Sequence, residues 1–282
     1  MHRPGRPPTP RALAVLIGLA LGATACESLE IGGAKHATLT YTDDARSAYN
    51  EALVAFNERD WESARALLGE VKKLFAYSRY ARLAELRLAD IDFEQEKFAD
   101  AISAYREFAQ NHKNDPDIEY ARYRMTKAIF RDIDDSVLLP PAEERDQATT
   151  LEAFRELRAY LKDFPKTRYR ADEAFMLEVV VQRLFRHELY VARHYLREEN
   201  FEATIARIDG GIKAYPSSKL VPEAMVLKGE TLMKMKKLDE AVEVFDAVVK
   251  TQDGPFVAVA KGFLEELKHR KPAGKTATAP AK

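Results

Sequence analysis

The sequence predicts an all-α protein assembled from repeated helical hairpins, and three observations carry that prediction. From Asp43 to Lys268 apolar residues recur every three to four positions, the spacing that builds one apolar face on a 3.6-residue helix. Over the same span glycine is sparse, and no run alternates polar with apolar residues as a half-buried strand would. The third observation is internal repetition. Ala52, Phe56, Trp61, Ala64, Leu68 and Val71 fall onto Ala89, Phe93, Phe98, Ala101, Tyr105 and Phe108, each 37 residues later.

The first 25 residues stand apart from this body. Arg3, Arg6 and Arg11, with no acid, precede an apolar run from Ala12 to Ala20 and then Gly22, Ala23, Thr24 and Ala25, the three-part layout of a secretory signal peptide. The run is shorter than the roughly 20 residues that a bilayer-spanning helix needs, so the segment reads as cleaved. Cys26, the single cysteine, follows at once. Ala23-Thr24-Ala25-Cys26 resembles a bacterial lipobox, with Ala23 where Leu is usual. Cys26 is therefore the expected site of a covalent lipid, the alternative being ordinary cleavage with the thiol incidental. Acyl chains stabilise membrane attachment by about 0.8 kcal/mol per buried methylene. Residues 26–40, with Gly32, Gly33 and Ala34, read as a short flexible tether.

Five repeat units follow, at about 43–78, 80–115, 118–166, 170–217 and 220–253. The fourth carries Ala192, Phe201, Thr204, Ile208 and Pro216; the fifth carries Gly229, Leu238, Ala241, Phe245 and Val248. A second-helix match in the third unit lies at Ala153, Leu157, Tyr160 and Pro165. These offsets resemble the tetratricopeptide consensus: a small residue in helix A, a small residue twelve later in helix B, a large apolar residue four beyond it, and often a closing Pro. Small residues are needed where two helices cross closely, and the large one fills the seam to the next hairpin. Ala76 and Lys113 stand where the closing Pro would be, and Thr204 replaces Ala. The third unit is split by an inserted loop around Pro140-Pro141, since paired prolines forbid a continuous helix. Extra helix, Ala171 to Phe185, precedes the fourth unit. Residues 254–269 read as an amphipathic cap over the last apolar face, and 271–282 as a disordered Pro/Ala/Thr/Lys tail.

Composition narrows the functional classes. Forty-four basic and 45 acidic residues are mixed along the chain, so no broad positive field exists for nucleic acid, and no polynucleotide partner is expected. Cleaving the leader removes three arginines and no acid, which moves the net charge from −1 to −4. His187 and His194 lie two helical turns apart, but a metal site needs a third fixed ligand, and none is expected. The acidic pairs Asp134/Asp135 and Glu143/Glu144 sit in the charged loop with no phosphate-cradling glycines or nucleophile order near them, so solvation is their expected role and no catalytic residue is assigned. The basic end from Lys268 reads as a solubilising tail, with anionic headgroups as its alternative partner.

Phe56, Phe93 and Phe130 are spaced by 37 and 37. With Tyr49, Tyr120 and Tyr123 they are candidates for an aromatic groove, bracing between hairpins being the other reading.

The lipobox, the five repeats, the split third unit and the extended helix before the fourth, together with Glu144-Arg145-Asp146-Gln147, FPKTRYRADEA from Phe164 and HELYVARHYLREENFEATIARI from His187, closely resemble the BamD family. Arg145 and Asp146 form the family-specific pair in the loop. The resemblance implies a non-catalytic lipoprotein on the periplasmic face of the outer membrane, without a cofactor, acting as a scaffold in β-barrel assembly. Its implied partners are a BamA-like β-barrel subunit, unfolded outer-membrane β-barrel proteins on the amino-terminal repeats, other lipoprotein subunits, and the membrane through the lipid. It implies that Arg207, on helix B of the fourth repeat, contacts the barrel subunit, where planar donors can meet a carboxylate in a two-pronged pair. Another periplasmic tetratricopeptide lipoprotein, one that coordinates cell-wall synthesis with envelope constriction, is the alternative.

Overall fold

The helices begin and end where local chemistry dictates, and their turns repeat a single backbone device. In a computed structural model, residues 32–133, 140–251 and 254–270 are described. Among them lie α1 (Gly32–Asn57), α2 (Trp61–Leu74), α3 (Arg79–Glu94), α4 (Phe98–Asn111), α5 (Ile118–Asp132), α6 (Ala148–Asp163), α7 (Arg170–Arg197), α8 (Phe201–Ala214), α9 (Val221–Lys234), α10 (Leu238–Thr251) and α11 (Pro255–Arg270). A short 3-10 turn at Ala142–Glu144 precedes α6, and no strand occurs among the described residues. Cys26, Asp134, Asp135 and the tail from 271 lie outside them. The chain divides into two units at Asp43/Asp44. In the first, α1 starts at Gly32, so residues 32–40, expected as flexible tether, are helical. Ala34, Lys35 and Leu39 are good helix formers and no proline interrupts them. The second unit holds all that follows.

Within this unit the hairpins are α2 with the part of α1 from Asp44 on, then α3/α4, α5/α6, α7/α8 and α9/α10. Four of their A-to-B turns place a residue at left-handed φ: Arg59 (60°), Glu96 (60°), Glu199 (55°) and Lys236 (62°). The next residue then donates its backbone N–H five residues back, Asp60 to Ala55, Lys97 to Asp92, Asn200 to Tyr195 and Lys237 to Leu232, at 2.8–3.0 Å. This is the helix-closing bond of a Schellman motif, here without the glycine that usually occupies its left-handed position. Side-chain oxygens of Asp60 and Asn200 then cap helices α2 and α8. The third hairpin lacks the device, because the insertion replaces the turn.

The small template positions are all interior: Ala52, Ala64, Ala89, Ala101, Ala153, Ala192, Thr204 and Ala241 are buried. Gly229 shows the steric reason most sharply, since a Cβ there would sit 2.4 Å from the Phe245 ring. Three apolar clusters follow in chain order, one joining α1 to α3, one running from α3 to α9, and one tying α9 and α10 to α11. Each hairpin thus buries its face on its neighbours, as a solenoid must. Helix α11 closes the array with Ala260 and Leu267 buried and Phe263 stacked on Phe245 at 4.9 Å.

Candidate partner-binding surfaces

The aromatic row is more braced than open. Phe56 packs edge-on against Trp61 (5.5 Å) and Phe93 against Phe98 (5.6 Å), so each ring joins the end of helix A to the first residue of helix B in its own hairpin. Arginines from the next A helix cover them: Arg87 lies over Phe56 at 5.8 Å and Arg124 over Phe93 at 4.0 Å. Arg87 also lies 5.2 Å from the Tyr120 ring. Such cation–ring contacts contribute about 0.5–2 kcal/mol each, more as water is excluded.

Asp90, 2% exposed, holds this arrangement together. Its carboxylate accepts from the phenols of Tyr105 (2.5 Å) and Tyr120 (2.8 Å) and pairs with Arg87 (2.5 Å) and Arg124 (3.2 Å). Burial first, and the Asp90 charge second, push both phenols well above their ordinary range. They therefore remain hydrogen-bond donors. The open lining expected of Tyr49 and Tyr123 is accordingly corrected, while half-buried Tyr120 still lines a cleft of about 430 Å³. Tyr49 is 7% exposed against Tyr80, and Tyr120 is tied to Asp90. Tyr123 is 9% exposed, stacked on Tyr169 at 3.8 Å, with its hydroxyl donating to Asp172. A polar tip that has lost water takes a protein partner, and that fixes the ring. Phe56, Phe93 and Phe130 stay half-buried.

The fourth hairpin presents a different surface. Ala203, Ala206, Gly210 and Ala214 of α8, with Glu188 and Tyr195 of α7, line an open cleft of about 480 Å³ that includes Arg207. Arg207 donates to Glu188 at 3.2 Å and keeps 45% of its side chain exposed. The small residues leave the cleft shallowly lined, and Gly210 faces open space. Glu188 satisfies only part of the five-donor guanidinium fork.

The loop pair sits apart from this cleft. Asp146 Oδ1 accepts from the Ala148 N–H at the start of α6, while Arg145 lines a smaller cleft of about 230 Å³ together with Asp132, Gln147 and Arg183. Gln147 donates to the carbonyls of Ala142 and Arg145, both at 2.8 Å. A ring nitrogen of His187 lies 2.8 Å from the Glu143 carbonyl, which pins the 3-10 turn to α7. His187 therefore works as a brace, and the described residues hold no cluster of metal-ligating side chains.

A family model described as YfiO, outer membrane lipoprotein, matches residues 42–244, most of the chain. The chain belongs to this family. Among YfiO-like relatives it is 27% identical to the outer membrane protein assembly factor BamD of Neisseria gonorrhoeae, over 81% of this chain and 84% of that one. It is 26% identical to the factor of the same name from Caulobacter vibrioides, over 74% of this chain and 67% of that one. The solved tetratricopeptide domain of P58(IPK) overlays with a TM-score of 0.39 at 13% identity, over 85% of this chain and 69% of that one.

On this YfiO-family body, sequence reasoning singled out the half-buried phenylalanines and Arg207 as candidates but not Asp90, Arg87 and Arg124. A signal for the arginines existed. They are themselves 37 residues apart, and each follows the phenylalanine it covers by 31. Asp90 had none, because the equivalent positions in the neighbouring repeats are Leu53 and Lys127.

Proposed function

We propose that this chain is a non-catalytic scaffold subunit of the machinery that inserts β-barrel proteins into the outer membrane, anchored through a lipid on Cys26. The observation that carries the reading is the open cleft around Arg207, set in a family whose relatives are named outer membrane protein assembly factors. In this reading the cleft docks a BamA-like barrel subunit. A carboxylate of that partner meets the exposed guanidinium, while small residues of α8 admit its backbone. The amino-terminal hairpins receive unfolded barrel segments on a surface where Phe56, Phe93 and Phe130 alternate with Arg87 and Arg124. Apolar side chains of an extended segment pack on the rings. Other lipoprotein subunits bind elsewhere on the array, and the lipid keeps the scaffold at the inner leaflet of the outer membrane.

The deciding experiment is affinity purification of the full-length protein from detergent-solubilised envelope. A large β-barrel protein is expected to co-purify, and recovery without one overturns the reading. Arg207→Glu places a carboxylate beside Glu188 and is expected to reduce recovery of that partner at least tenfold, a change of about 1.4 kcal/mol or more, with far-UV circular dichroism unchanged. Unchanged recovery would remove Arg207 from the interface. For the anchor, inhibiting lipoprotein signal peptidase should leave an unprocessed form of higher mass, and no change in mass or membrane association refutes lipidation.

A further inference from the structure

The third hairpin departs from its neighbours at its small helix-A position. Thr126 stands 37 residues after Ala89, and it is fully buried. Its hydroxyl faces two oxygens, the Tyr123 main-chain carbonyl at 2.8 Å on α5 and Oε1 of Glu173 at 2.5 Å on α7. A threonine hydroxyl has one proton to donate. Glu173 is itself fully buried, and its second oxygen, Oε2, meets no hydrogen-bond partner among the described residues. Were Glu173 ionised, one proton would have to serve both a carbonyl and a carboxylate, and a charged oxygen would lie in the core with neither water nor donor. That arrangement is among the costliest a core can hold. A proton on Glu173 resolves it. The carboxyl then donates to Thr126, Thr126 donates to the Tyr123 carbonyl, and the unpaired oxygen belongs to a neutral acid.

We propose that Glu173 is held as a neutral carboxylic acid in the folded protein, and that losing its proton loosens the joint between α5 and α7, where the third hairpin meets the fourth. The surroundings set the balance. Burial raises the Glu173 carboxyl most, with Asp172 on α7 adding to it, while the Thr126 bond and Arg122 and Lys127 on α5 act the other way, for a value of about 7. Tyr160 of α6 lies within electrostatic reach of it. The two cations are already engaged, Arg122 by Glu156 and Asp163 of α6 and Lys127 by Asp172. Glu119 is taken by Thr167. Because the folded group binds its proton more tightly than the ordinary 4.5 of the unfolded chain, its contribution is full below about pH 4.5 and is lost as the pH rises through 7. That difference corresponds to at most a roughly 300-fold fall in the folding equilibrium constant. The joint also carries the stacked Tyr123–Tyr169 pair, of which Tyr169 lines a cleft of about 430 Å³ with Tyr120, Lys166 and Arg168.

Carbon-detected NMR titration of the Glu173 side-chain carboxyl in the full chain tests the proton directly. A midpoint near 7 is expected, and one in the ordinary carboxylate range overturns the proposal. Glu173→Gln keeps the shape, stays neutral and can donate an amide proton to Thr126. It is expected to lose the fall in thermal stability that the wild type shows between about pH 5 and pH 8, and to exceed the wild type at the upper end. A variant profile parallel to the wild type overturns the proposal. Amide exchange around Tyr123–Lys127, corrected for its intrinsic pH dependence, should quicken with pH in the wild type alone, and equal quickening in both proteins rejects the loosened joint. Should Glu173→Gln fail to fold, the wild-type titration decides the question.

Discussion

Tyr105 and Phe245 occupy the same position of the repeat, four residues after the small residue of helix B, and the hairpins around them are built by opposite means. Tyr105 brings a hydroxyl into the core. An acid, Asp90, is buried to receive it, and two arginines and a second phenol then gather on that acid. Phe245 brings no polar atom and needs only space, which Gly229 provides by having no Cβ. One oxygen atom thus separates a seam of paired charges, with arginines reaching the surface over aromatic rings, from a seam of apolar contact. Arg87 and Arg124 are spent on the framework of the amino-terminal hairpins, whereas Arg207 in the fourth pairs, among the described residues, with Glu188 beside an open cleft.

The largest expected effect comes from emptying the apolar seam. Phe245→Ala removes a fully buried ring that also stacks on Phe263, and a loss of about 3–5 kcal/mol in urea unfolding is expected. A loss under about 1 kcal/mol would mean that α11 collapses onto the gap and that the seam is less rigid than its geometry implies. Next is Asp90→Ala, which removes the carboxylate that Arg87 and Arg124 share and leaves Arg124 with Glu94. About 3 kcal/mol is expected, at the lower end for a broken buried pair because both guanidiniums retain some solvent. If raising the salt concentration restores most of that stability, like-charge repulsion dominates over lost hydrogen bonds. The smallest contrast uses two helical glycines. Gly229→Ala should cost about 1–3 kcal/mol by forcing Phe245 aside. Gly69→Ala, whose Cβ would meet nothing within 4 Å, should gain about 0.5–1 kcal/mol in the same assay. Equal effects at the two glycines would show that the close approach at Phe245 is not what selects Gly229.

Much of the architecture is legible in the amino-acid order alone. The all-α class, the hairpin order, the insertion at Pro140-Pro141 and the capping helix follow from periodicity, proline placement and the 37-residue offset, because these report which face of each helix must be buried. The left-handed turn residues are not legible. Arg59, Glu96, Glu199 and Lys236 carry no glycine signal, and their conformation is imposed by helix B packing back on helix A and by the five-residue backbone bond that closes the turn. The helical start of α1 at Gly32 is hidden for a related reason, since a glycine pair lowers helix propensity without forbidding a helix.

By itself the sequence determined a helical solenoid of repeated hairpins with a phenylalanine row as candidate groove, because repeat spacing encodes burial one residue at a time, while Arg207 entered only through the resemblance to the BamD family. Only the tertiary structure decided which polar groups face one another across hairpins. It placed Asp90 beneath two arginines, closed Tyr49 and Tyr123 of the expected groove, left Arg207 beside a cleft, and set Glu173 against a hydroxyl with a single proton to give. Those outcomes depend on pairs brought together from different helices. Each polar atom that loses water must find its partner in space, and no spacing along a single chain records which partner that will be.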